Sequence, residues 1–170
     1  MRNSSLKKLT YSALLTALAI IIPIVFGPFL KIQIPPFSAT LASHVPMFLA
    51  MFVGPEAAVI VGVGSFAGFL LTAPAVVAAR ALMHAIVGLA GAILIKKGVS
   101  FKKIIFITMP IHGILEALVV MPFGFTMYKA LVIVGIGTAL HHTADGFITI
   151  ALVAAIEKAL KLKLTEIFAK

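Results

Sequence analysis

The sequence predicts an all-α integral membrane protein of six transmembrane helices with both termini in the cytoplasm, and three observations predict it. Hydrophobic residues make up 62% of the 170 residues and charged ones 11%, with a mean hydropathy of +1.19, against about 25% charge in soluble domains. Apolar runs recur along almost the whole chain, some near the ~20 residues a spanning helix needs. The cations stand at the ends of those runs: eleven (Arg2, Lys7, Lys8, Lys96, Lys97, Lys102, Lys103, Lys158, Lys161, Lys163 and Lys170) fall on one side, against Lys31 and Lys129 on the other. The richer side is the cytoplasmic one, and an even number of crossings returns the chain to it.

Prolines, glycines and charge clusters set the segments at about 9–30, 39–53, 55–72, 74–95, 103–123 and 128–160. The first is longer than a signal-peptide core and further spans follow it, so it is expected to be retained. Between the first and second, KIQIPPFSAT reads as an ordered external loop. The second and third are parted only by Gly54-Pro55-Glu56, which suits a tight helical hairpin with Pro55 in a first turn. In the third, GVGSFAG (62–68) lacks the spacing and the preceding strand of a nucleotide loop. Gly64 and Gly68, at i and i+4, fit close packing of membrane helices instead. The sixth is long enough to project into the cytoplasm, ending in the amphipathic EKALKLKLTEIFAK. The whole of 1–170 reads as one membrane domain, with no room for a soluble one.

Net charge +9 would suggest nucleic acid in a soluble protein, but cations placed at span ends exclude that partner. The absence of cysteine excludes disulfides, thiol catalysis and cysteine-based metal centres. No GxxxxGK[ST] occurs, so the chain does not hydrolyse ATP by a P-loop mechanism.

Ionisable residues inside a span cost at least ~2.5–3.5 kcal/mol at its centre and usually face a cavity or a partner. In PAVVAARALMHAIVGLAG (74–91), Arg80 lies about 9 Å below the outer end of the fourth segment, at ~1.5 Å per residue. By the same rise, Glu116 lies about 10 Å below the outer end of the antiparallel fifth segment, so the two can meet. His84 sits one turn below Arg80 and His112 one turn below Glu116. The sixth segment adds His141, His142 and Asp145, and His44 opens the second. These depths outline a polar pocket opening outward, with Tyr128, Phe123, Phe125 and Phe37 as its apolar lid and walls. Asp145, deeper, reads as structural, paired with His141 or His142.

A guanidinium offers two parallel charge-assisted hydrogen bonds to a carboxylate. Arg80 is therefore read as an anion anchor, with a structural lock to Glu116 as the alternative. Metal is a rival reading: HGILE (112–116) and HHTAD (141–145) carry nitrogen and oxygen ligands. No HExxH occurs and the groups are expected at two depths, so no metal or other cofactor is expected on this chain.

These motifs resemble the S components of energy-coupling factor vitamin transporters. The topology matches, as does ALLTA (13–17), a small-residue pattern in the first segment. KIQIPPFSATLASHVPMFLAMFVGPEAAVIVGVGSFAGF, VVAARALMHAIVG and GIGTALHHTAD are similar to the niacin-type member, over nearly the whole chain. The resemblance implies a high-affinity vitamin pocket near the external face, built largely from the fourth to sixth helices and closed by the loop between the first and second. It implies a face at Ala13 and Ala17 packing on a transmembrane coupling subunit, and two partner ATPases that use the ATP. Nicotinate suits the pocket: a carboxylate for Arg80, a flat ring, and a ring nitrogen for His84, His112 or His44. The alternatives are another vitamin or an aromatic amino acid as ligand, or a membrane metal enzyme or metal carrier using the His, Glu and Asp cluster.

Overall fold

A computed structural model describes residues 2–168 and the side chains of residues 5–168; Lys170 and the side chain of Arg2, both in the charge tally, lie outside them. The chain is an all-α membrane protein but for one small hairpin. Among the described residues, five helical stretches are long and apolar enough to cross a membrane: Ser5–Leu30, Pro55–Thr72, Ala75–Lys96, Phe101–Phe123 and Lys129–Leu160. Their outward faces are apolar, with Leu14, Leu18, Phe106, Ile114 and Phe147 among the exposed side chains, as a lipid-facing surface requires.

The first stretch is α1 (Arg2–Ile21), a π turn over Ile22–Phe26, and the short α2 (Gly27–Leu30). Pro23 supplies no amide to the helical ladder, and the wider π turn accommodates that gap. Ser12, Leu15, Ala19 and Ile22 recur every three or four residues as the buried stripe, while Ala13 and Ala17 lie on the exposed face.

The expected external loop is a β-hairpin. Strands β1 (Lys31–Ile34) and β2 (Phe37–Thr40) pair antiparallel, Lys31 opposite Thr40 and Ile34 opposite Phe37, across the cis Pro35-Pro36 turn. β1 is exposed throughout, whereas Phe37, Ala39 and Thr40 of β2 are buried against the bundle.

The expected second helix, 39–53, is corrected at its start: α3 is Val45–Val53, nine residues and about 13 Å at 1.5 Å per residue. Residues 39–44 instead finish β2 and turn inward, with Ala42 at φ 68°. The cause is distant in sequence: the Asp145 carboxylate accepts hydrogen bonds from the amides of Ala42 (2.8 Å) and His44 (3.0 Å). That pairing holds the turn open and leaves Pro46 in the first helical turn. Every α3 residue except Leu49 is buried, the signature of a helix wrapped by other helices.

Gly54 and Pro55 make the predicted tight turn into α4 (Pro55–Thr72). Small residues let α4 lie against two partners. A Cβ at Gly62 would strike the backbone of His84 and Ala85 on α5 (Ala75–Lys96). One at Gly68 would strike Ile20 and Pro23, and one at Gly64 would strike Thr16, all on the first stretch. The packing expected of Gly64 and Gly68 is present. α6 (Phe101–Val120) runs to a 3-10 turn at Met121–Phe123 and to Gly124 at φ 84°. A π segment, Lys129–Gly135, then leads into α7 (Ile136–Leu160).

The C-terminal stretch does not project as expected. Lys161, at φ 53°, reverses the chain, and α8 (Leu164–Phe168) folds back, burying Leu164 and Phe168. Glu157 caps it by accepting from the Leu164 amide at 2.9 Å. Phe168 meets Tyr11 edge to face, with centroids 5.2 Å apart. The main core lies between these ends, around Phe48, Met51, Val61, Val87 and Ile104.

Candidate functional site

A cavity of about 360 Å³ opens beneath the hairpin. Its walls come from Pro23, Ile24 and Gly27 of the first stretch, Ser38 to Thr40 of β2, Phe69 and Thr72 of α4, and Val77, Arg80, Ala81 and His84 of α5. Ser43 and His44 enter from the turn before α3, and α6 and α7 add Glu116 and His141. The first stretch and the hairpin thus contribute more than was expected of a pocket built largely from the fourth to sixth helices.

Arg80 and Glu116 meet as their depths predicted. Nε of Arg80 donates to Glu116 Oε2 at 2.7 Å, and Nη1 donates to the Ser38 carbonyl at 3.1 Å. Both side chains are buried, and the guanidinium carbon lies 4.9 Å from the centre of the Phe37 ring, within cation–π reach. Thr138 of α7 donates to the same Glu116 oxygen. Among the described residues these contacts occupy two of the five N–H donors of Arg80.

The histidines gather around one centre. His84 shares a 2.9 Å hydrogen bond between Nδ1 and the Ser65 hydroxyl, which leaves Nε2 for other partners. His112 is fully buried behind the cavity, its Nδ1 3.0 Å from Nδ1 of His142 and its Nε2 3.2 Å from Glu116 Oε1. His142 turns away from the cavity, donating Nε2–H to the Ile105 carbonyl at 3.1 Å. His141 faces the Thr40 carbonyl and Asp145 Oδ2, each 3.1 Å from its Nε2. Because both are acceptors, that nitrogen carries the proton. His44 places Nδ1 3.1 Å from Asp145 Oδ2 and packs edge to face on His84 and His112, with centroids 4.7 and 4.8 Å apart.

Of the residues singled out in the sequence, Arg80, His84, Glu116, His44 and His141 line the cavity. His112 supports it from behind. Tyr128 is corrected: it is 65% exposed and absent from the walls, as are Phe123 and Phe125. Phe125 packs instead with Ala117, Val120, Ala130 and Val134, whereas the hairpin gives Ser38 to Thr40 to the cavity. Of the expected aromatic group, Phe37 is also absent from the walls but packs on Arg80. Asp145 is paired with His141 as expected, but not with His142. Sequence reasoning passed over Ser65, Ser38 and the amide-binding role of Asp145. For Ser65 a signal existed, a hydroxyl on the small-residue face of a membrane helix; for the Ser38 carbonyl there was none.

The second expectation that changes is depth. One ligand atom from each of His44, His84, His112 and Glu116 lies within 4.8 Å of the others. The turn before α3 brings His44 down to the level where the α5 and α6 side chains meet, so the groups converge on one level where two were expected.

No family model matches the chain, and no solved structure matches it. The niacin transporter NiaX of Lactococcus lactis subsp. cremoris (strain MG1363) is 33% identical to it over 175 residues, covering 93% of this chain and 78% of the relative.

Proposed function

The chain belongs to the niacin-type S-component family of transport proteins, and from that premise we propose that it is the substrate-binding membrane subunit of an energy-coupling factor importer, taking up nicotinate from outside the cell. It is a multi-pass membrane protein and a transporter rather than an enzyme. The observation that carries the ligand reading is Arg80: a permanent cation, 6% exposed, on the wall of a roofed cavity, with N–H donors left over after its protein partners are served. Those donors suit a carboxylate. Glu116 and the Ser38 carbonyl orient the fork, and Phe37 flanks it. His84 and His44 stand across the cavity to address a ring nitrogen, with His141 beside them and His112 behind, its Nε2 3.2 Å from Glu116 Oε1.

The proposal includes six passages and cytoplasmic termini. α3 serves as the inner half of the second passage, and the turn 41–44 with the cavity above it fills the outer half. In support, Ser43 and His44 floor the cavity, whereas Phe48 and Phe52 pack on Phe101, beside the link between α5 and α6 that carries Lys96, Lys97, Lys102 and Lys103. The proposed partners are a transmembrane coupling subunit on the Ala13 and Ala17 face, and two ATPases that supply the ATP-driven step.

Calorimetry on the purified chain, comparing nicotinate, nicotinamide and tryptophan, tests the reading. Nicotinate is expected to bind most tightly, with nicotinamide weaker by at least tenfold, about 1.4 kcal/mol, because it lacks the charge that Arg80 matches. Equal affinity for acid and amide would remove Arg80 as anchor, and tighter tryptophan binding would favour an amino-acid carrier.

A further inference from the structure

We propose that His44, His84, His112 and Glu116 form a binding site for a divalent transition-metal ion of the zinc class at the floor of the cavity. The inference stands on this cluster alone and not on the identity of the organic ligand.

Zinc binds imidazole nitrogen and carboxylate oxygen at about 2.0–2.2 Å, so neighbouring ligand atoms on one ion stand about 3.0–3.5 Å apart, and three imidazole rings around it have centres about 5 Å apart. Here His112 Nε2 and Glu116 Oε1 are 3.2 Å apart. The ring centres of His44, His84 and His112 are separated by 4.7, 4.8 and 5.1 Å.

The Ile105 carbonyl only accepts, so His142 carries its proton on Nε2. A neutral His142 then presents a lone pair at Nδ1, which accepts from Nδ1–H of His112 at 3.0 Å. That leaves Nε2 of a neutral His112 with a lone pair turned toward the Glu116 carboxylate. This nitrogen is buried and has no hydrogen-bond partner among the described residues despite its 3.2 Å contact, because the direction of the bond misses the oxygen. An ion beside the N–O line satisfies both lone pairs. His142 then acts as the outer partner that fixes the ligand tautomer of His112, the arrangement usual around metal-bound histidine, and the Ser65 hydroxyl, accepting from Nδ1–H of His84, leaves that ring a lone pair at Nε2 for the ion.

Glu116 and Asp145 are both buried, and Arg80 is the one buried cation of fixed charge among the described residues. The two carboxylates exceed Arg80 by one negative charge, and buried charge in a membrane is tolerated when it is countered; a divalent ion counters that excess and leaves one positive charge for an anionic ligand. Three nitrogens and one oxygen suit zinc and its first-row neighbours better than calcium or magnesium.

The test uses the full chain, purified in detergent with a tag free of histidine, stripped with a chelator and dialysed. Zn²⁺ titration with elemental analysis is expected to give one tightly held equivalent per chain, and Co²⁺ to give the visible absorption of a four-coordinate nitrogen and oxygen site. His112→Ala and Glu116→Gln should each weaken Zn²⁺ binding about tenfold or more, with helicity checked by circular dichroism. Should His112→Ala lose its helicity, His44→Ala, on the turn, replaces it. Absence of saturable Zn²⁺ binding, or unchanged affinity in the folded variants, overturns the site. Nicotinate titrated separately keeps the two readings apart: nicotinate bound without Zn²⁺ removes the ion alone, and Zn²⁺ bound without nicotinate supports the ion while removing the proposed ligand.

Discussion

Arg80 concentrates the chemistry of the cavity because its charge cannot be neutralised by losing a proton. Its meeting with Glu116 was legible from two antiparallel helices and a rise per residue, since both lie at one depth. Arg80→Ala is expected to lower nicotinate affinity by tenfold or more, read by calorimetry. It also strands the Glu116 carboxylate, so Arg80→Lys belongs beside it. Lysine keeps a charge but loses the planar fork, and an intermediate affinity is expected. Wild-type affinity in both folded variants would take Arg80 out of the site. The histidines were harder to place. Periodicity located His84, His112, His141 and His142 on their helices, while His44 lies in the turn before α3; the direction of a ring and its tautomer depend on neighbours such as Ser65, Ile105 and His142, brought in from other helices.

At the scale of elements, the hairpin and α3 show where local pattern stops being informative. KIQIPPFSAT announces a turn through its prolines, yet its pairing into strands depends on burying Phe37 and Ala39 against the bundle. The start of α3 is decided by Asp145, a residue 103 positions from Ala42 and 101 from His44. No window over residues 39–53 contains that information. Asp145→Ala leaves the Ala42 and His44 amides without their acceptor and His141 with the Thr40 carbonyl alone, each buried unpaired group costing about 1–3 kcal/mol. The expected outcome is a lower melting temperature in detergent and faster proteolysis at the hairpin, with α5 and α6 still protected. Unchanged cleavage would mean that the strand pairing holds the turn by itself. The contacts of Gly64 and Gly68, in contrast, were readable, because small residues one turn apart in an apolar helix signal close approach of backbones.

For the whole molecule, the exposed face of α1 carries the prediction about coupling. Ala13 and Ala17 are exposed while Ser12, Leu15 and Ala19 on the adjacent stripe are buried. Enlarging Ala13 or Ala17 to Trp is therefore expected to leave nicotinate binding within about twofold, because no packed side chain is displaced. Uptake in cells carrying the partner subunits should fall severalfold as docking is obstructed. Loss of binding in the purified variants would show that this face supports the cavity instead. The refolded C-terminal segment belongs at this scale as well: the stretch 157–170 reads as amphipathic and projecting, but Leu164 and Phe168 find apolar partners beside α3 and Tyr11.

The sequence by itself determined the membrane class, the tight turn at Gly54-Pro55, the polar residues buried among apolar ones and the level at which Arg80 and Glu116 meet. These follow from composition and from a fixed rise per residue, both local properties. The tertiary structure alone decided that the second segment is a nine-residue helix beneath a cavity, that Tyr128 stands outside it, and that three histidines and a glutamate converge on one centre. Each of those outcomes depends on a contact between residues far apart in the chain, where the cost of an unpaired buried polar group selects one arrangement among the many that the helical pattern allows.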